Sequence, residues 1–218
     1  MNSVLFYKWM SKCYDLLDFI YFRDNQNSPR KVTLDSINRH DRILDICTGT
    51  ATNAIQIAMK KTSAKIVGID ISEEMLTVAN NKLEKEHLSD HVKLVCGDAT
   101  VMPFDAGCFD KVLLSLVLHE MDEAFAGRVI KEAIRVLHSD GRILVTEWEP
   151  SKVLWRKLLF FPVHMLEPKT YHHFVKKDLY SYFRSFDLEV EKEIHCNYSR
   201  VLILKKKEND GTTERLML

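Results

Sequence analysis

Glycine is scarce in this chain: seven in 218 residues, six of them between positions 49 and 141 and none from 142 to 210. The turn CTGTAT at 47–52 holds a single glycine, which excludes the GxGxxG fingerprint of a dinucleotide site there. Cysteine is sparse as well. The five cysteines, Cys13, Cys47, Cys96, Cys108 and Cys196, form no CxxC pair, which argues against a disulfide frame or a zinc site and predicts reduced core thiols in a cytosolic chain. Long apolar runs are missing too. The N-terminal stretch MNSVLFYKWMSKCYDLLDFIYFRD is broken by Lys8, Lys12, Asp15 and Asp18 and lacks a small-residue cleavage site, so neither a signal peptide nor a spanning helix is expected. Charge of one sign is not in excess. Thirty-one basic residues balance thirty-one acidic ones, leaving no global field for nucleic acid.

What remains is ordinary globular material, 46% hydrophobic, enough for one sizeable domain. Ser28 and Pro29 read as the N-cap and first position of a helix over SPRKVTLDSI. From residue 42 short β-branched runs alternate with amphipathic stretches: RILDIC strand, TNAIQIAMKK helix, AKIVGID strand, SEEMLTVANNKLEKE helix, VKLVCGD strand. FDKVLLSLVL follows as a buried strand, DEAFAGRVIKEAIRVL as a helix, and GRILVTEW as a strand after the turn SDG. KKDLYSYFRSF then suggests a helix, and DLEVEKEIHC with YSRVLILKKK two closing strands. This alternation predicts an α/β fold: a Rossmann-like doubly wound sheet of seven strands, mostly parallel with an antiparallel C-terminal hairpin, helices on both faces. Residues 1–40 are expected as an N-terminal helical lid, 41–150 as the core, 151–186 as an apolar and aromatic lid, 187–207 as the closing hairpin and 208–218 as a flexible tail.

Ligands of such sheets bind outside the carboxyl ends of the strands. Three successive strands there end in aspartate, Asp45, Asp70 and Asp98. Asp45 suits a cationic or amine-bearing ligand, or it only caps the turn Thr48–Gly49–Thr50, whose N–H groups face the next helix. Asp70 can accept both hydroxyls of a ribose, or it serves as a favourable charge at the helix starting near Ser72. Asp98 can accept from an adenine amine, with Val101, Met102 and Phe104 walling the ring. Together they outline an adenosine pocket with an amine nearby, which describes S-adenosylmethionine.

ILDICTGTATNA, GIDIS, GDATVMPF, FDKVLLSLVLHEM and LHSDGRILVTEW resemble, in order and spacing, the motifs of class I S-adenosylmethionine-dependent methyltransferases. The nearest branch looks like the quinone-biosynthesis C-methyltransferases of the UbiE/MenG kind, whose loop reads LDxxTGTGD. The resemblance covers about residues 40–148 and is specific for the cofactor more than for the acceptor. It implies that Thr48, Gly49 and Thr50 contact the amino-acid end of the cofactor, Asp70 the ribose, Ile71 and Met75 the adenine edge, and Asp98 with Ala99 the adenine amine. Ser115 and Leu116 would lie under the sulfonium, and Tyr14 would help close the site. The family usually carries glycine at the position of Ala51, and in one subgroup at Cys47; the methyl of Ala51 is expected to narrow the space beside the cofactor or to require an ordinary helical φ.

Methyl transfer from a sulfonium needs alignment more than acid or base, yet an acceptor that must lose a proton benefits from a base. His119 after the fourth strand is the candidate, against an equally weighted structural role. No metal is expected: His172 and His173 are adjacent and have no spaced thiolate or acidic partner. VLWRKLLFFPVHMLEP at 153–168, with the apolar stretch 4–22, suits a lid over a lipophilic acceptor or a helix at a membrane interface, or else core packing. The expected protein is therefore a methyltransferase, cytoplasmic with or without peripheral membrane contact, that converts S-adenosylmethionine to S-adenosylhomocysteine. Its acceptor is a small lipophilic molecule, a quinone precursor before a phospholipid head group, with arsenite third. A nicotinamide-dependent oxidoreductase and a non-catalytic adenosine-binding partner subunit are the alternatives from other classes.

Overall fold

The architecture comes from a computed structural model that describes residues 28–149, 171 and 174–207. Helix α1 (Pro29–Asp35) begins where expected: the Ser28 hydroxyl accepts from the Arg30 N–H and proline occupies the first helical position. Strand β1 (Arg42–Ile46), helix α2 (Thr52–Lys60), strand β2 (Lys65–Asp70), helix α3 (Glu73–Lys85) and strand β3 (Val92–Cys96) follow in alternation. Then come β4 (Phe109–Ser115), a 3₁₀ turn at Leu118–Glu120, α4 (Glu123–Val136), β5 (Leu137–Trp148), α5 (Leu179–Arg184), β6 (Leu188–His195) and β7 (Ser199–Lys206). Side-chain caps start three more of these helices. Ser72 accepts from Met75 N–H, Asp122 from Phe125 N–H, and Asp178 from Tyr180 and Ser181 N–H.

The seven strands form one sheet in the order β3-β2-β1-β4-β5-β7-β6, with β7 antiparallel to both β5 and β6. The strand order reverses between β1 and β4, which creates the crevice in which doubly wound sheets hold ligands. Register brings the carboxyl ends level there. Ile46 lies beside Ile69 and Leu114, and Asp70 beside Cys96.

Period-two alternation divides the core into two layers. Leu44, Ile46, Val112 and Leu114 pack with α4 and α5, whereas Ile43, Ile66, Leu113 and Leu144 pack with α2 and α3. Asp45 shares the face of Ile43, so its carboxyl points into the α2 layer. Glu147 shares the face of Ile143 and Val145, on the opposite side.

Two departures from the sequence reading have clear causes. Strand β4 stops at Ser115 because Leu116 adopts φ +56° and turns the chain. Strand β5 starts at Leu137, ahead of the expected SDG turn, because Leu137 already pairs with Phe109. Gly141 permits that approach: a Cβ there would lie 2.6 Å from Leu137 Cδ1 and 2.9 Å from the Asp110 carbonyl oxygen. Of the four described cysteines, Cys47 and Cys108 are partly buried against the core, Cys196 is intermediate and Cys96 is exposed, while Cys13 lies outside the described residues. No helix among the described residues is long and apolar enough to cross a membrane.

Candidate active site

Strand β1 delivers Asp45 to the crevice 2% exposed, where its Oδ2 accepts a 2.7 Å hydrogen bond from the Thr48 hydroxyl. The loop beyond it is fastened to the neighbouring strand as well. Thr48 N–H donates to the Ile69 carbonyl at 3.0 Å, and Gly49 N–H donates to Asp70 Oδ2 at 2.8 Å. The other oxygen of Asp70 accepts from Ser72 N–H at 2.9 Å, so one carboxylate ties the β1 loop to the start of α3. Each oxygen keeps a second lone pair for a ligand hydroxyl. The capping and binding roles read from the sequence for Asp45 and Asp70 are thus compatible, and the capping halves of both are present.

Three residues of this loop, Cys47, Gly49 and Ala51, have φ of +54°, +56° and +57°. At Gly49 a Cβ would meet nothing within 4 Å, so the backbone there borders open space on the ligand side. Ala51 is a correction to the expectation of an ordinary helical φ: it is the left-handed N-cap of α2, fully buried in the α2 layer. A left-handed alanine costs about 1–2 kcal/mol. Relief of that strain in Ala51→Gly is offset by losing one buried methyl, about 0.8 kcal/mol, and by added chain entropy. The expected result in denaturant unfolding is a change below about 1 kcal/mol for Ala51→Gly, against a loss of about 3 kcal/mol for Ala51→Val, whose branch suits neither φ nor space.

Gly68 is a site residue that the sequence did not single out. A Cβ on it would lie 2.8 Å from Thr48 Cγ2 and 2.9 Å from Thr48 Oγ1. Only glycine at this point of β2 lets Thr48 reach Asp45. Gly68→Ala should therefore break that hydrogen bond, lower stability by about 1–3 kcal/mol and weaken cofactor binding in calorimetry; intact affinity would remove Thr48 from the site. Lys82 was also missed, and its ammonium donates to Thr50 Oγ1 at 2.9 Å from the far part of α3. Thr50 Oγ1 also lies 3.1 Å from Thr52 Oγ1.

Burial dominates the electrostatics of the loop. It pushes the Asp45 carboxyl up to about 7, opposed by the Thr48 hydrogen bond and reinforced by the Asp70 charge. Burial, then the negative charges of Asp70 and Asp45, push the Cys47 thiol up to about 12, which makes it an inert thiol. Asp98 is exposed and held below the usual carboxylate range, chiefly by hydrogen bonds from the Thr100 N–H and hydroxyl. Of the apolar residues expected beside it, only Val101 stands open, 76% exposed. Met102 is in the core, a correction to its reading as a pocket wall, and Phe104 is half-buried, edge-on to Phe109. Ile71, at the end of β2, is 73% exposed, Met75 is half-buried on the first turn of α3, and Ala99 is buried.

Ser115 closes β4 and Leu116 follows it, both half-buried, and Leu116 N–H donates to the Thr146 carbonyl at 2.8 Å. His119, 1% exposed, has its Nδ1 2.6 Å from Glu147 Oε2 and its ring edge-on to Tyr171. Tyr14, His172, His173 and the segment 153–168 lie outside the described residues.

A family model described as a methyltransferase domain matches residues 43–141, the span from β1 into β5. The chain is 29% identical over 180 residues to a ubiquinone/menaquinone biosynthesis C-methyltransferase, UbiE, of Citrifermentans bemidjiense, covering 81% of this chain and 76% of that one. The chain is a class I S-adenosylmethionine-dependent methyltransferase. A demethylmenaquinone methyltransferase of Bacillus cereus is 30% identical to this methyltransferase over 158 residues, 70% of this chain and 65% of that one. The fold also matches the crystal structure of a SAM-dependent methyltransferase from Aquifex aeolicus with a TM-score of 0.70 over 91% of this chain and 97% of that one, at 16% identity. S-adenosylmethionine is accordingly the cofactor, and the oxidoreductase and non-catalytic alternatives find no support among these proteins.

Proposed function

We propose that the methyltransferase acts on a small lipophilic acceptor, a quinone precursor first. The observation that carries this reading is the run of relatives named for quinone methylation, including one aligned over 81% of the chain. The residues present suit the cofactor. The open space at Gly49 admits its amino-acid end, and the carboxyl of Asp45, raised to about 7 by burial, becomes the anionic partner of that end's amine when it ionises. Ile71 and Val101, exposed apolar side chains at neighbouring strand ends, suit the two faces of an adenine ring.

In this reading Thr48, Gly49 and Thr50 hold the amino-acid end, the remaining lone pairs of Asp70 the ribose hydroxyls, and Ile71 with Met75 the adenine edge. Asp98 and Ala99 take the adenine amine, and Ser115 and Leu116 line the sulfonium side, with Tyr14 closing over the cofactor. Bound S-adenosylmethionine supplies an electrophilic methyl group on a sulfonium. The chain's own task is to align the acceptor with that methyl, exclude water and take up a proton, the last assigned to His119. The apolar stretches 4–22 and 153–168 are the sequence basis for an acceptor lid with peripheral membrane contact.

The test is incubation with methyl-labelled S-adenosylmethionine and a whole-cell lipid extract, followed by phase partition and chromatography of the organic phase. Label in a quinone fraction is the expected result. Label in phospholipid would move the acceptor to a head group, and label confined to water-soluble products would sink the lipophilic reading.

A further inference from the structure

Among the described residues only two carboxyl side chains are buried, Asp45 and Glu147. Asp45 stands on β1 and anchors Thr48 of the loop assigned to the cofactor. Glu147 stands one strand beyond β4, at the carboxyl end of β5, on the sheet face of Val145. Burying a carboxylate among apolar neighbours is costly by several kcal/mol unless it is paired and hydrogen-bonded, so its partners indicate its use.

Both its oxygens are engaged by the 3₁₀ turn that follows β4. Oε1 accepts from Leu118 N–H at 3.0 Å, and Oε2 meets His119 Nδ1 at 2.6 Å. Backbone and side chain of the same turn are thus held by one carboxylate, and both members of the pair are 1% exposed. The turn itself is set by Leu116, whose left-handed φ redirects the chain and whose N–H is bonded to β5. Tyr171 stands edge-on to the imidazole, centroids 5.7 Å apart, which fixes the ring plane from a third direction.

We propose that Glu147 is a positioning residue for methyl transfer, holding His119 as the Nδ1–H tautomer so that Nε2 receives the acceptor's proton. The inference rests on the reading of His119 as the base. An imidazole that donates through Nδ1 to a carboxylate carries its basic lone pair on Nε2, and the carboxylate favours the imidazolium that forms. The balance is simple. The acceptor's electron pair bonds the methyl carbon, the pair of the broken carbon–sulfur bond stays on sulfur as a neutral thioether, and the acceptor's proton passes to Nε2 and then to solvent. Other titratable groups near the pair are Tyr171, the exposed Glu120 and Arg200, which neighbours Glu147 in register on β7 but sends its guanidinium to Glu193.

Two readouts test the proposal, one of them independent of turnover. Nitrogen NMR of the wild-type imidazole should give a proton on Nδ1 and none on Nε2. In Glu147→Gln the His119 pKa should fall by about one unit as the charged partner is lost. With the lipid extract as acceptor, Glu147→Gln should lower kcat about a hundredfold with KM for S-adenosylmethionine unchanged. Its acid limb should move to lower pH, and Glu147→Asp should restore part of the rate. In the His119→Ala background the same change should add no further loss. A fully active His119→Ala would reject the base reading and the proposal with it. A slow His119→Ala beside a fully active Glu147→Gln with an unmoved acid limb would overturn the role of Glu147 alone. Should Glu147→Gln fail to fold, an Nε2–H tautomer in the wild-type protein would overturn it equally.

Discussion

Asp70→Ala should lower affinity for S-adenosylhomocysteine by at least about a hundredfold while leaving the protein folded. The carboxylate accepts from Gly49 N–H with one oxygen and from Ser72 N–H with the other, and both bonds are part-buried. Removing it strands two donors at about 1–3 kcal/mol each if water cannot reach them. Once that bridge is gone the loop keeps its bonds from Thr48 to Ile69 and from Lys82 to Thr50, but its Gly49 apex is no longer joined to the start of α3. Loss of order in the loop then adds to loss of the ligand's own hydroxyl contacts, so binding suffers more than stability. Asp70→Asn is the sharper variant: one of its two atoms becomes a donor facing a donor, and half of the clamp is lost with no change of volume. Calorimetric titration with S-adenosylhomocysteine, beside thermal unfolding, measures both terms. Unchanged affinity in Asp70→Ala would take this residue out of the site.

Asp45 governs the second large effect, which is a dependence on pH. Its carboxyl is raised to about 7 in the folded chain, above its ordinary value of 3.8, mainly by burial. The folded state therefore holds a proton that the unfolded state has released between those values. Its contribution to stability is present in full below about pH 4 and is lost as pH rises through 7, a swing on the order of 4 kcal/mol at about 1.4 kcal/mol per pH unit. Asp45→Asn keeps an oxygen to accept from Thr48 and removes the titration. The variant should unfold at higher denaturant than wild type at pH 8, with the difference shrinking towards pH 5. Cofactor affinity should move the other way. An amine beside Asp45 favours the ionised carboxyl, so wild-type affinity for S-adenosylmethionine should fall by up to about tenfold per unit below pH 7, and Asp45→Asn should lose both the dependence and much of the affinity. Equal dissociation constants at pH 6 and pH 8 in the wild-type protein would show that no cation is recognised at this carboxyl.

Asp45, Asp70 and Asp98 illustrate what was legible in advance. Each follows a short β-branched run and precedes a turn, so its place near the carboxyl end of a strand is a local property that period-two alternation and turn chemistry reveal. Only Asp70 is a strand's last residue, with β1 running on to Ile46 and β3 stopping at Cys96, two residues before Asp98. The same holds for the caps at Ser28 and Ser72 and for the alternation of elements that yields a seven-stranded sheet. The motif loop was recognisable for the same reason, with strand, turn and helix contiguous over residues 43–60.

Other features depended on residues that are distant in the chain. The left-handed φ of Cys47 and Ala51 has no sequence signature, since neither residue favours that region; the bonds from Thr48 to Ile69 and from Gly49 to Asp70 impose it from the next strand. Gly68 matters only because parallel register sets Asp45 beside it and the Thr48 side chain over it. The position of Met102 after Asp98 suggests a pocket wall, yet the chain turns it into the core. Glu147 lies 28 residues after His119, and nothing in GRILVTEW marks it as that residue's partner. Local sequence determined which elements form and which carboxylates stand near their carboxyl ends, because backbone propensity and side-chain alternation act over a few residues. Tertiary structure decided which of those groups meet and which are shut from water, because desolvation and hydrogen bonding between strands exist only once the sheet has assembled.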